Sequence, residues 1–430
     1  MISARQLLPL LVGAAFGTGG WMYGSRGAGT STSGNGATAD DRLRIASEEI
    51  ELLQRENESL RSLAQGGGEF AVPQEMIDQV QEDYGLEFLA SPVVHMVAGE
   101  ELGYRIEAAI ESRMGPQGID DRQEAFQRIG WLDPGDKLLE QLVAIKSVGA
   151  KGWFDEESGD AWVTDDFDLK NIPDQAVLLR LLVRVLLDQH FPDSSVYPGD
   201  DAARAKEALH AGAASGAESR FYAANARAIG FLPSNENSAA ARLLLVLSEF
   251  IQGLTMFPAM EGKNLADTLY VKGVEEFSDG MRNLPESTFG VVFPNAEKRG
   301  GKVDFPEIED EIYLEESAGY LGIRLWISEL GDVGIAEQVA RDWSKDGYAL
   351  FADGEVSTGL MWKVEFQTAG SADIFQEAAL QRAGAMAGLE SAAELGVLIE
   401  ATDGRFFRVE RISETSVKFV NAAKRDTAEL

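Results

Sequence analysis

Residues 174–190 read DQAVLLRLLVRVLLDQH. Ile172-Pro173-Asp174 opens a helix with proline in its first turn, where the missing N–H costs nothing. The helix runs to about His190. From Ala176 to Leu187 it is apolar on nearly every face, which places it at the centre of a fold. The polar exceptions are Arg180, Arg184 and Asp188, spaced i, i+4 and i+8 as one stripe, and Arg184 and Asp188 can pair within the helix. Two arginines on an otherwise buried helix must face water, carboxylates or a cavity, because an unpaired buried charge costs several kcal/mol.

Outward from this helix the pattern is helix-rich α+β with small strands. Val93–Val97 reads as a strand, followed by a helix over Glu100–Met114. Phe154–Val163 holds two short strands around Glu157-Ser158-Gly159-Asp160. Helical patterns recur over 202–230, 238–255, 262–280, 316–330 and 334–345. Tyr348–Phe351 and Gly359–Phe366 form a hairpin, then a helix over 371–389 precedes strands near 396–401, 405–412 and 415–421. No internal repeat is visible, so 70–430 is one large body, or two lobes meeting at the 174–190 helix.

Composition narrows the chemistry. The 430 residues carry 38 Lys and Arg against 71 Asp and Glu, a net charge of −33, with no cysteine and three histidines, His95, His190 and His210. Disulfides, thiolate metal sites and Cys nucleophiles are excluded. The acidity argues against nucleic acid, which needs a basic face, and against adhesion of the body to anionic lipid.

The N-terminal end has its own organisation. Leu7–Tyr23 is a 17-residue stretch without a charge, about 25 Å long as a helix. Gly13-x-x-x-Gly17 and Gly20-x-x-x-Gly24 have the spacing that lets membrane helices approach. Residues 1–26 therefore read as a single-pass inner-membrane anchor with the body outside the cytoplasm, the alternative being a signal peptide and secretion after its cleavage. Residues 27–41 are a flexible linker. Over 42–65 a heptad places Leu43, Ile50, Asn57 and Ala64 at a, and Ala46, Leu53 and Leu60 at d. This fits a parallel homodimeric coiled coil through 43–64 with Asn57 setting register, or one amphipathic helix lying on the body.

Several segments carry a resemblance. Leu187-Asp188-Gln189-His190-Phe191, Gly152-Trp153-Phe154-Asp155 with Asp160-Ala161-Trp162-Val163, and Pro285-Glu286-Ser287-Thr288 through Phe293-Pro294 are its first parts. Ala340-Arg341-Asp342-Trp343 with Asp346 and Tyr348, then Trp362 and Ala372-Asp373-Ile374-Phe375, follow in order. Together they resemble a poorly characterised family of secreted or membrane-anchored prokaryotic zinc-metallopeptidase-like proteins of the HExxH type. The resemblance implies a zincin-like metallopeptidase fold over about residues 80–422. Anchored on Asp188-Gln189-His190-Phe191, the family's two zinc histidines fall on Arg180 and Arg184 and its general base on Leu181. The third ligand falls on Ala211. Phe293 replaces a further family histidine. A guanidinium neither binds a cation nor acts as a base near neutral pH, so the resemblance implies the fold without its metal chemistry.

Nothing else replaces that site. His190 reads as a helix-end contact and His95 as a strand residue. His210, one residue before the lost ligand position, is either a surface or capping residue or part of a pocket. Ser287-Thr288 with Glu286 has no placeable histidine. Asp165-Asp166-Phe167-Asp168 and Asp200-Asp201 lack the pattern of a dedicated calcium loop. Arg299-Gly300-Gly301-Lys302 is a turn without the context of a phosphate loop. The expectation is a membrane-tethered, catalytically inactive metallopeptidase homologue, without metal or cofactor, acting as a binding or scaffold module for a protein or peptide. Arg180, Arg184 and His210 are its candidate binding residues, and the two arginines either bind an acidic group or pair internally. The alternatives are an active metal-dependent hydrolase with non-standard ligands and a purely structural envelope protein.

Overall fold

The computed structural model describes residues 68–430 except Gly115, 193–199, 230–238, Lys302, Leu330 and Asp332. The anchor, linker and heptad segments all fall within 1–67, outside the described residues. In chain order the first elements are β1 (Gly68–Phe70), α1 (Gln74–Tyr84), β2 (Val94–Val97), α2 (Gly99–Met114), α3 (Pro116–Ile129) and α4 (Leu138–Ser147). They are followed by β3 (Gly152–Phe154), β4 (Ala161–Thr164), α5 (Ile172–His190), α6 (Asp200–Ala224), α7 (Ala226–Ile229), α8 (Ala239–Leu244) and α9 (Glu249–Phe257). One π-helical turn, Pro258–Gly262, leads into α10 (Lys263–Lys272), α11 (Val274–Arg282) and α12 (Thr288–Val292). The remainder is β5 (Ile312–Glu316), α13 (Gly319–Ser328), α14 (Val333–Arg341), β6 (Trp343–Ala352), β7 (Thr358–Phe366), α15 (Ala369–Met386), β8 (Ile399–Glu400), β9 (Phe406–Ser413), β10 (Ser416–Ala422) and α16 (Arg425–Ala428).

Two sheets result. The first has the order β1-β2-β4-β3, with β2 and β4 parallel and the other pairs antiparallel. Its inner face packs on α5, which is buried along almost its whole length as its all-round apolar surface requires. Gly152 permits this contact, because a Cβ there would meet Leu181 Cδ1 at 2.8 Å. The second sheet is antiparallel throughout, in the order β5-β6-β7-β10-β9-β8. α15 packs against it.

An aromatic core joins the halves. Trp131 stacks on Phe250 at 4.4 Å and meets Trp362 at 5.5 Å. Trp326 packs edge-on against Trp362 at 5.1 Å and donates its indole N–H to the Ile129 carbonyl. At the centre lies Asp346 of β6, 1 % exposed. Its carboxylate accepts from Trp343 Nε1 (3.0 Å), Trp362 Nε1 (2.9 Å), Ser317 Oγ (2.9 Å) and the backbone N–H groups of Ala318 and Gly319 (2.9 Å each). Burial pushes its pKa up, and the donors pull against that shift.

These findings correct the fold expected from the sequence. The expected zincin-like α+β body with small strands behind a membrane helix is replaced by a mixed α/β structure whose larger sheet has six strands, up to 10 residues long. Among the described residues no helix is long and apolar enough to cross a membrane. The strand β6 begins at Trp343, not Tyr348, because Trp343 and Asp346 are bound into the core from an extended backbone. The expected helix over 262–280 breaks at Gly273, whose φ of 116° lies outside the helical region. The helix over 238–255 is likewise two, with the second capped by Ser248, whose hydroxyl accepts from the Ile251 N–H.

Replacing Asp346 leaves buried donors without an acceptor. Asp346→Ala is expected to lower stability by about 3–5 kcal/mol in chemical denaturation. Asp373→Ala, at a carboxylate 67 % exposed beside Arg411, should stay within about 1 kcal/mol.

Candidate functional site

The arginine stripe of α5 faces α6 and the β3–β4 turn. Arg180 lies 3.8 Å from Glu218 of α6. Arg184 pairs with Glu156 of the turn, and Glu156 also takes Arg113 of α2 at 2.7 Å. Burial pushes Glu156 up, but Arg184, Arg113 and Lys146 outweigh it and hold the carboxyl below the usual range. Arg184 therefore turns across to Glu156 instead of down its own helix to Asp188. Arg180 and Arg184 are internal cross-links.

His210 and Glu218 share one face of α6, two turns apart. Nε2 of His210 has no hydrogen-bond partner, and neither has either carboxylate oxygen of Glu218, which is 1 % exposed. Burial, reinforced by Arg184, lowers the His210 pKa to about 3. Burial raises Glu218 to about 7 against the pull of Arg180. Both groups are therefore held towards their neutral forms. Ala211, at the expected third-ligand position, adjoins Gly212, where the backbones of α6 and the π turn touch. A Cβ on Gly212 would meet the Gly262 carbonyl carbon at 2.2 Å.

The remaining candidates have structural partners. His190 Nε2 lies 2.7 Å from the Glu87 carbonyl. Its neighbour Gln189 accepts from the N–H groups of Leu89 and Ala90 and donates to the Ala90 carbonyl. The end of α5 thus pins segment 87–90. His95 stacks on Trp162 at 4.4 Å, and the Arg105 guanidinium lies 3.8 Å from the same ring centroid. Asp166 is held by Lys151 and Thr164, and Asp174 accepts from the Asp168 N–H. Ser287 caps α12, and Thr288 is fully buried against Asp201. Arg299 donates to the carbonyls of Arg341 and Trp343 and to the Gln367 side chain. Among the described residues no group of three or more His, Asp or Glu is placed to hold a metal ion.

A cleft of about 700 Å³ opens beyond the C-terminal end of α5, within the roughly 300–1,000 Å³ of small-molecule sites. Its apolar lining includes Leu209 of α6, Leu265 and Leu269 of α10, Met281 of α11 and Phe289 of α12, with Phe191, Pro285, Phe293 and Pro294. Lys206, Arg282, Lys298 and Arg299 bring positive charge, against Glu286 and Glu297. Lys298 and Glu286 pair at 2.5 Å. The sequence pointed to Pro285–Pro294 as a segment but not to a cleft, because its walls come from five separated helices. Glu218 was legible in principle, as a carboxylate two turns from His210 within the small-residue run of α6.

Residues 310–430 match a family model described as a domain of unknown function (DUF8575). The match spans the six-stranded sheet with Asp346 and leaves α5, α6 and the cleft outside. No curated protein and no solved structure matches the chain.

The α5–α6 seam makes stability pH-dependent in two opposing ways. The unfolded chain ionises Glu218 near 4.5 and the folded one near 7, so stability falls as pH rises through that window, by about 3 kcal/mol. His210 charges near 6.5 unfolded and near 3 folded, so its contribution is lost as pH falls below 6.5. Glu218→Gln should therefore give a stability that rises with pH between 4.5 and 6.5, and His210→Gln one that falls with pH across the same range. Urea denaturation at a series of pH values reads both slopes against the flatter wild-type profile.

Proposed function

We propose that this chain is a non-catalytic binding or scaffold module whose ligand surface is the cleft beyond α5, not the arginine stripe. The observation that supports it most is the commitment of Arg180 to Glu218 and of Arg184 to Glu156. Where the sequence places two cations at the centre of the fold, each already faces an internal carboxyl group, Arg184 in an ion pair with Glu156 and Arg180 3.8 Å from Glu218. They cross-link α5 to α6 and to the first sheet. Hydrolysis through a bound zinc needs imidazole or carboxylate donors and a base for the water. The equivalent positions hold Arg180, Leu181, Arg184 and Ala211. The cleft, by contrast, combines an apolar floor with a cationic wall, the composition of a binding site.

Two measurements test this reading. Purified protein dialysed against buffer should retain no stoichiometric zinc and should leave a quenched peptide library uncleaved. Zinc that survives dialysis, supports cleavage and disappears in His210→Ala would overturn the proposal. Arg184→Ala removes a charge-assisted hydrogen bond but leaves Glu156 paired with Arg113, so it should lower stability by about 2 kcal/mol and leave ligand binding at the cleft unchanged once the variant is folded.

A further inference from the structure

The two sheets end in short edge strands, and among the described residues β5 is the longest of them. β1 and β3 have three residues each, β8 has two and β5 has five. α3 packs across β5, β6 and β7 on one face of the sheet. Phe305, with Val303 and Ile308, packs on Ala349, Phe351 and Met361 of the other face. The faces are thus covered, whereas on its outer side β5 pairs with no strand. Residues 309–313 are exposed without interruption. An edge of this kind leaves backbone N–H and C=O groups unpaired and is a template for one more strand.

The register of β5 against β6 shifts between Ile312 and Leu314, so Tyr313 has no partner on β6. A bulge re-aims a side chain. Tyr313 lines a cavity of about 290 Å³ with Asp121 of α3 and with Glu355 and Val356 of the turn between β6 and β7. The Tyr313 side chain is exposed, as is Val356. An aromatic ring beside two carboxylates suits a cationic side chain. The strand continues that chemistry, because residues 306–316 contain Glu307, Glu309, Asp310, Glu311, Glu315 and Glu316 and no Lys or Arg. Cations close by are already engaged, Arg122 with Glu316, Lys363 with Glu307 and Lys424 with Asp353.

We infer that the outer edge of β5 takes up an extended, lysine- or arginine-rich segment of a partner protein as a further strand, with one cationic side chain of that segment in the cavity at Tyr313. Backbone groups supply the ladder and the cavity selects a side chain, the two components of strand addition. A second copy of this chain is the wrong occupant, because pairing β5 with β5 sets carboxylates opposite carboxylates. The charges that keep two copies apart leave the edge open to a strand of opposite sign. The inference goes beyond the cleft, which shares none of these residues.

The test uses the full chain and short labelled peptides, titrated by fluorescence anisotropy. One peptide alternates Lys and Val, one alternates Glu and Val, and one is the lysine peptide with its backbone amides methylated. The lysine peptide should bind one per chain, and the other two roughly tenfold or more weaker. In hydrogen exchange the lysine peptide should slow the amides of 309–316. The double variant E311K/E355K should weaken the lysine peptide by roughly tenfold without shifting the melting temperature. E75K/E82K, at two exposed positions of α1, changes the net charge equally and should leave the affinity as it is. Equal weakening by both double variants means diffuse attraction to an acidic surface and overturns the site. Equal binding of the methylated peptide overturns strand pairing. A dimer of the chain alone that protects the same amides overturns the choice of occupant. Absence of lysine-peptide binding, or protection confined to other segments, overturns the inference.

Discussion

The carboxylate of Asp346 is the interaction on which the architecture turns. Its five donors come from β6, β7 and the segment leading into α13. They convert a buried charge, costly by itself, into a fixed junction between the six-stranded sheet and a helix start. A second buried carboxylate works beside it. Asp201, at the start of α6, accepts from the N–H and hydroxyl of Thr288, and the Thr288 hydroxyl oxygen accepts from the Leu321 N–H at 3.0 Å. Gly319 lies between them with φ of 65°, and a Cβ there would meet Asp201 Oδ1 at 1.8 Å. Two carboxylates thus meet the N-terminal end of one helix, where its exposed N–H groups and dipole favour negative charge.

From that junction the helical half is held by close backbone approach. Gly212 of α6 meets Gly262 of the π turn, and a Cβ on Gly262 would meet the Ala208 carbonyl oxygen at 2.1 Å. With α6 fixed this tightly, its polar face has nowhere to go except against α5. Glu218 is buried with the half-buried Arg180 3.8 Å away, and Nε2 of His210 is sealed from solvent. The cleft is the residue of the same geometry. It is lined by α6, α10, α11 and α12 at the C-terminal end of α5.

Much of the framework could be read along the chain. The central position of α5 follows from a run that is apolar on nearly every face, and β2, β3, β4 and the β6–β7 hairpin follow from short-range pattern, whereas β1 did not. Trp343, Asp346 and Trp362 stood out as a spaced set, but their meaning as a hydrogen-bonded knot did not, because Trp362 is on another strand and two donors are backbone groups. The six-stranded sheet was underestimated because its strands are joined through long-range pairings, with β7 beside β10, that no local window contains. The break at Gly273 was missed because apolar spacing continues through it. The cleft was hidden for the same reason as the sheet, since Phe191, Leu269 and Phe289 approach only in three dimensions.

Sequence alone determined the absence of thiol chemistry, the strong net acidity and the centrality of the 174–190 helix. These are properties of residue type and spacing, which hold whatever the chain's path. Tertiary structure decided which carboxylate each arginine meets. With 71 acidic residues available, charge count made pairing easy but could not choose among partners. Glu156 and Glu218 were selected because one turn of the first sheet and one face of α6 pack within contact distance of α5. That choice depends on distance and burial and is therefore invisible in one dimension.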